Sequence, residues 1–259
     1  MSKKKVALVL STGGVRGFGH IGAIEEIVNA GFKISAIAGS SMGALIGAAY
    51  AYGNIEACNE LMLVLNKHRF MDLVDFSFSR QGIIKGNKVM RIFSKIVPDV
   101  AIEDLPLPLS IVTTDINNNK EFVFKEGSLH NAIRASISLP LIFIPYEYNF
   151  KRLIDGGIIN PLPINHVKRT EGDIIIACIA GAINKYSEIN SALGKQNILM
   201  KSLTVMVQQI IQLNIEKYKP DLVIELPGSS YSIFNFNKAR ELIRIGKIHA
   251  RNAIEVYNT

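Results

Sequence analysis

Ile34-Ser35-Ala36-Ile37-Ala38-Gly39-Ser40-Ser41-Met42-Gly43-Ala44-Leu45-Ile46-Gly47 sets a largely apolar run directly against a Gly-x-Ser-x-Gly turn and then a stretch of small residues. Ile34 to Ala38 reads as a strand buried on both faces, and Met42 to Tyr52 as a tightly packed helix. The pentad Gly39-Ser40-Ser41-Met42-Gly43 therefore falls at a strand-to-helix turn, the context that gives this pattern chemical meaning. Upstream, Val6 to Leu10 is another buried run. Phe18 to Ala30 carries Ile21, Ile24, Ile27 and Val28 at helical spacing, and Gly31 stops it. Strand, helix, strand at this length is a βαβ unit, which implies parallel strands and a right-handed crossover.

Downstream, the spacing predicts helices over Ile55 to Asn66, Asn87 to Val97 (ended by Pro98), Ile198 to Tyr218 and Asn237 to Val256. Strands are predicted at Leu109 to Thr114, Glu121 to Phe124, Ile174 to Ile179 and Leu222 to Leu226. Such alternation points to a layered α/β fold with a mostly parallel sheet. No linker, repeat or low-complexity tract interrupts it, so a single domain over residues 1–259 is expected.

The chain has 259 residues, 48% hydrophobic and 20% charged, which excludes disordered, collagen-like and coiled-coil classes. Two cysteines, Cys58 in a helical run and Cys178 in an apolar one, make neither a disulfide framework nor a metal site; both read as core thiols in a reducing, cytoplasmic compartment. Lys3-Lys4-Lys5 followed by five apolar residues resembles the start of a signal peptide, but Ser11-Thr12-Gly13-Gly14 ends the run too early. No transmembrane helix and no lipid anchor are expected. The net charge of +7 is compatible with peripheral contact with an anionic membrane surface at the inner membrane face, but the basic residues are dispersed and no nucleic acid partner is expected.

Only Ser41 is flanked by glycine at both plus and minus two. A sharp turn here exposes its hydroxyl, and a helix beginning near Met42 turns free amides and a positive dipole end toward a developing oxyanion. The same pattern also suits a plain glycine turn with an idle serine. Gly13-Gly14-Val15-Arg16-Gly17 follows the first strand. It lacks the dinucleotide fingerprint and the Lys-Ser/Thr pair of a P-loop, and fits either a phosphate cradle or an oxyanion loop. Arg16 would bind an anionic headgroup or brace the loop. None of the five histidines has a neighbouring pattern that nominates it as base. Asp155-Gly156-Gly157, after the apolar pair Leu153-Ile154 at a predicted strand end, is the better nominee, with an Asx turn as its plain alternative.

In this order and spacing the three motifs resemble the patatin-like phospholipase family of serine lipid acyl hydrolases. Gly82-Ile83-Ile84-Lys85-Gly86, Thr114-Asp115 with Gly127, Arg134-Ala135-Ser136 with Ser138 and Pro140, and Asn160-Pro161-Leu162-Pro163 are similar to its bacterial branch. The resemblance runs from about Lys5 to the C-terminal helix. It implies a three-layer α/β/α fold, a Ser41–Asp155 dyad without histidine, oxyanion amides from Gly13, Gly14 and Val15, a lipid or other ester substrate, and no metal or cofactor. Gly17, Gly39, Gly43, Gly156 and Gly157 would support these motifs. Phe70 to Phe78 and Leu139 to Tyr148 are candidates for an acyl groove or for core packing, and Ile198 to Tyr218, with Ile198, Leu203, Met206, Ile210 and Leu213, is expected to cover the sheet rather than to lie on a membrane. The rival readings are an α/β-hydrolase triad using His166 or His249, a nucleotide-binding module on the first loop, and a catalytically idle lipid-binding protein.

Overall fold

The computed structural model describes residues 4–66, 85–182, 198–227 and 236–259. The candidate segment Phe70 to Phe78 and Gly82 to Ile84 lie outside them. The buried runs form the parallel strands β1 (Lys5–Leu10), β2 (Lys33–Ser40), β3 (Leu109–Asp115), β7 (Ile174–Ala182) and β8 (Leu222–Pro227), adjacent in the order β3-β2-β1-β7-β8. Three antiparallel strands complete the sheet: β4 (Lys120–Phe124), β5 (Tyr146–Tyr148) and β6 (Lys151–Asp155). β6 ends at Asp155, where the apolar pair Leu153-Ile154 predicts a strand end; β5, which forms a hairpin with it, and α4 (Leu129–Ser136) extend beyond the predicted elements. They are too short, and their burial too uneven, to carry a clear period.

Side chains alternate across the sheet, as the two-residue period requires. Val6, Leu8 and Leu10 point into a large core with Ile37, Ile111, Ile176 and Ile224. That core is closed by α1 (Gly19–Asn29), α2 (Met42–Asn66) and α6 (Ala239–Asn258). Ala7, Val9, Ile175, Ala177 and Ile179 face the other way, against Val207, Ile211 and Ile215 of α5 (Ile198–Tyr218). The result is the three-layer α/β/α arrangement. The two helices predicted over Met42 to Asn66 form one assigned stretch with a break at Gly53-Asn54, where Asn54 has φ 57°. The helix predicted over Asn87 to Val97 is shorter than expected, and α3 spans only Asn87–Phe93.

The register brings the third motif to the second. Thr113, Thr114 and Asp115 of β3 pair with both β4 and β6, whereas Ile111 and Val112 pair with β4 and β2. A strand has only two edges, so β6 takes up the edge of β3 that β2 leaves at Ser40. Asp155, opposite Thr113, thus sits one step beyond Ser40, opposite Val112.

Candidate active site

Ser41 occupies the link between β2 and α2 with φ 55°, the left-handed region that a non-glycine residue adopts at a cost of about 1–3 kcal/mol. The strain is held by tertiary contacts. A Cβ on Gly39 would lie 2.6 Å from the Ala44 nitrogen, and one on Gly43 would lie 2.3 Å from the Leu10 carbonyl oxygen, so both flanking positions must be bare for strand, turn and helix to close up. The Ser41 amide donates to Ser136 Oγ (2.9 Å), and Ser136 Oγ donates on to the Val112 carbonyl (2.8 Å). Ser40 Oγ donates to the Asn160 carbonyl (2.7 Å), tying the serine turn to the loop after β6.

Ser41 Oγ donates directly to Asp155 Oδ2 at 2.5 Å. Asp155 is 2% exposed, and its other oxygen, Oδ1, accepts the Gly157 amide (2.7 Å). Its backbone is fixed on both sides. The Asp155 amide donates to the Ser138 carbonyl (3.0 Å), and Thr114 Oγ1 donates to the Asp155 carbonyl (2.8 Å). Burial raises the carboxyl from its ordinary 3.8 to about 6, a rise that would be larger without the hydrogen bonds from Ser41 and Gly157. Near neutral pH it is ionised, yet far more basic than an exposed aspartate, which suits it to accept a hydroxyl proton. Gly156 lies so close to β3 that a Cβ there would stand 2.1 Å from the Val112 carbonyl oxygen.

The glycine loop crosses above this pair. Ser11 and Thr12 leave β1 with their amides bonded to the Cys178 and Pro161 carbonyls (3.0 and 2.9 Å). Gly14–Phe18 then forms a 3₁₀ turn in which Gly14 has φ 56°. The amides of Gly14 and Val15 belong to its first turn and Met42 to the first turn of α2, positions that have no intrahelical acceptor. Arg16 Nε reaches back to the Gly13 carbonyl (3.2 Å), the guanidinium packs where a side chain on Gly181 would otherwise stand, and Arg16 also lines the cavity beside Ser41. Gly17 leaves room for Met42: a Cβ there would lie 2.4 Å from Met42 Cγ. Beneath the loop, fully buried His20 bonds through Nε2 to the Ser11 carbonyl (3.0 Å), and burial lowers its pKa to about 4, so the neutral ring is the donor.

A cavity of about 110 Å³ opens between these elements. Gly13, Gly14, Ser41 and Asp155 line it together with Leu139, Leu203 and Val207. The segment Leu139 to Tyr148 is thus divided in use. Leu139 faces the cavity, while Phe143 and Tyr146 flank the Arg134 guanidinium and the Tyr146 hydroxyl donates to Asn131 Oδ1 (2.6 Å). No histidine is among the described residues lining the cavity. His166 is engaged with Glu121 and Asn165, and His249 lies on α6; neither bonds to Ser41 or Asp155. Among the described residues no group of three His, Cys, Asp or Glu could hold a metal ion.

Sequence reasoning did not assign roles to Ser136, Thr114 or Asn160, although all three fall in segments that carry the family resemblance. Their signal was a polar residue beside an apolar stretch, and only the register showed which backbone group each one meets.

The family model for patatin-like phospholipases matches residues 8–168, a span that includes the glycine loop, the serine turn and the Asp-Gly-Gly turn. The chain belongs to the patatin-like phospholipase family. An uncharacterized NTE family protein of Mycobacterium tuberculosis is 40% identical over 176 residues, 68% of this chain and 49% of the relative. Lysophospholipase NTE1 of Meyerozyma guilliermondii is 26% identical over 96% of this chain and 19% of its own length. Patatin-like phospholipase domain-containing protein 7 of Mus musculus is likewise 26% identical, over 97% of this chain and 21% of its own. The chain therefore spans about half the length, or less, of these curated relatives. VipD from Legionella pneumophila shares the patatin-like fold, with a TM-score of 0.56 at 13% identity over 99% of this chain and 67% of VipD.

Proposed function

We propose that this chain hydrolyses carboxylic esters of lipids, using Ser41 as nucleophile and Asp155 as its base. The observation that carries the reading is the 2.5 Å hydrogen bond from Ser41 Oγ to a buried carboxylate of raised basicity, at the floor of a largely apolar cavity. Asp155 takes the hydroxyl proton as Oγ bonds to the ester carbonyl carbon, and the carbonyl oxygen becomes an oxyanion. Amides of Gly13, Gly14, Val15 and Met42 are the donors assigned to that oxyanion, since the first-turn amides are free of intrahelical bonds. The Ser41 amide is not among them, because it is committed to Ser136. Asp155 returns the proton to the leaving alkoxide, leaving an acyl-serine. It then draws a proton from water, whose oxygen attacks the acyl carbon, and returns that proton to Ser41 Oγ as the acyl–Oγ bond breaks and the fatty acid leaves.

The cavity volume bears on the substrate. Sites that enclose a whole small ligand occupy roughly 300–1,000 Å³. At about 110 Å³ this one receives the reacting ester, while the remaining acyl chain and headgroup extend outside. A relative's name, lysophospholipase, fits the same substrate class. The test is hydrolysis of medium-chain chromogenic esters and of lysophospholipid by the purified chain, with Ser41→Ala alongside. The reading expects fatty acid release that disappears in the variant while its circular dichroism is unchanged. Release at the wild-type rate by Ser41→Ala overturns it.

A further inference from the structure

Seven described non-glycine residues have positive φ. Two of them, Leu141 (φ 69°) and Phe150 (φ 61°), are large apolar side chains, and both are exposed, Phe150 completely. A bulky residue in this region is a genuine outlier in backbone statistics. Phe150 is the second residue of the two-residue turn joining β5 and β6, where Asn149 also has φ 46°. Such a turn favours glycine at both positions, yet an aromatic ring stands here in solvent.

The placement of these residues follows from the topology. β6 runs from Lys151 to Asp155, so Phe150 lies five residues from the carboxylate, about 16 Å beyond it in the direction in which the parallel strands end. The β3–β4 turn, with exposed Ile116, lies beside this tip, since the Ile116 amide donates to the Arg152 carbonyl (3.1 Å). Leu141 is two residues past Leu139 of the cavity wall. α5 begins at the same end of the sheet, after β7, and lines the cavity through Leu203 and Val207. Its outward residues Ile198, Val205 and Met206 are 80%, 50% and 60% exposed. A helix covering a sheet should turn polar residues outward. Between Ile198 and Ile215 this one carries a single charge, Lys201. α5 covers the sheet as expected, but through Val207, Ile211 and Ile215, while Ile198, Met206 and Leu213 of the predicted stripe are left exposed.

The charges near these apolar groups are largely basic. Lys151 and Arg152 follow Phe150, Lys120 opens β4 and exposed Lys201 lies on α5; Glu147 is paired with Arg152 (2.9 Å), and Asp115, which accepts bonds from the Asn117 amide and Asn118 Nδ2, keeps its negative charge beside Lys151, so the basic charges exceed the acidic ones by two among those named. No helix among the described residues is long and apolar enough to cross a membrane. From apolar groups around the cavity mouth with basic residues among them, we infer that this end of the molecule docks on an anionic lipid surface, with Phe150, Leu141, Ile198, Val205 and Met206 entering the acyl–headgroup boundary. Docking lays the cavity against the lipid, so an ester reaches Ser41 while its acyl chain stays largely in the bilayer. The inference rests on the lipid-ester reading above, and names the surface that delivers the substrate.

The test is co-flotation of the purified chain with vesicles of phosphatidylcholine and phosphatidylglycerol (7:3), beside vesicles of phosphatidylcholine alone. Phe150→Gly suits the turn better than the native residue, so it should fold at least as well, which separates lost docking from lost structure. Combined with Met206→Ser, it should lower vesicle partition about tenfold. Hydrolysis of a soluble short-chain ester should stay unchanged, while hydrolysis of vesicle phospholipid falls. Ser41→Ala should float with vesicles as the wild type does. Equal flotation of wild type and the double variant overturns the docking surface and leaves the catalytic reading standing. So does a lipid-free dimer that the two substitutions disperse, since a second copy then occupies this face. Flotation lost in the double variant, with ester hydrolysis retained by Ser41→Ala, supports docking and removes the catalytic assignment.

Discussion

Asp155→Asn should make the protein more stable at alkaline pH while abolishing its proposed chemistry. The carboxyl is 2% exposed, and burial lifts it from 3.8 to about 6. The folded state therefore binds this proton more tightly than the unfolded chain, so the cost of ionising Asp155 is absent below pH 3.8 and complete above pH 6. At about 1.4 kcal/mol per pH unit, ionisation opposes folding by about 3 kcal/mol at pH 8 and by less than about 1 kcal/mol at pH 4. Asparagine carries no such cost, although it can accept from only one of Ser41 and Gly157 with its single carbonyl oxygen, a loss of about 1 kcal/mol. Asp115 and Glu121, which are held below their ordinary values chiefly by hydrogen bonds from Asn118 and His166, titrate in the opposite sense but are common to both proteins. The difference between wild type and variant therefore isolates the one group. Urea unfolding at pH 4, 5, 6, 7 and 8 should show wild-type stability falling relative to Asp155→Asn by about 2–3 kcal/mol across the series, with most of the fall between pH 4 and 6. A difference that is flat with pH, or that favours the wild type as pH rises, would refute the raised pKa and its origin in burial.

Ester hydrolysis should rise with pH through about 6, as Asp155 loses its proton, and initial rates from pH 4.5 to 8 measure it. Ser136→Ala removes the acceptor of the Ser41 amide and should lower kcat about tenfold to a hundredfold with KM little changed, read from steady-state kinetics on a soluble ester. Ser136→Thr, which keeps the hydroxyl, should recover part of that loss. Gly43→Ala places a methyl group 2.3 Å from the Leu10 carbonyl and should cost more than about 2 kcal/mol of stability in urea unfolding.

The alternation of Val6–Leu10, Phe18–Ala30 and Ile34–Ala38 carries the parallel half of the fold, because strands buried on both faces are unbroken apolar runs and their helices have clear apolar stripes. β5 and α4 escaped because neither is long enough for a period, and because Tyr146, Tyr148 and Arg134 are held by contacts between distant segments. Ser41 and Asp155 were legible through glycine spacing, since close approach of the backbone forbids a Cβ at Gly39, Gly43 and Gly156. Ser136, Thr114 and Asn160 were not, because a buried hydroxyl or amide leaves no spacing signature and its partner is fixed only when β6 replaces β2 along β3. α5 covers the sheet as its pattern predicts, but through Val207, Ile211 and Ile215 rather than through a stripe that includes Ile198, Met206 and Leu213, which are exposed; apolar residues occur on more than one face of this helix, so the pattern alone does not choose the face that packs.

The central claim is that Asp155 makes Ser41 nucleophilic. It is tested most directly by treating the purified chain with an alkyl fluorophosphonate at pH 8 and mapping the adduct by peptide mass spectrometry. The account predicts one phosphonyl group per chain on the peptide carrying Ser41, no adduct in Ser41→Ala, and labelling slowed at least a hundredfold in Asp155→Asn. An adduct on another residue, or labelling of Asp155→Asn at the wild-type rate, would contradict it.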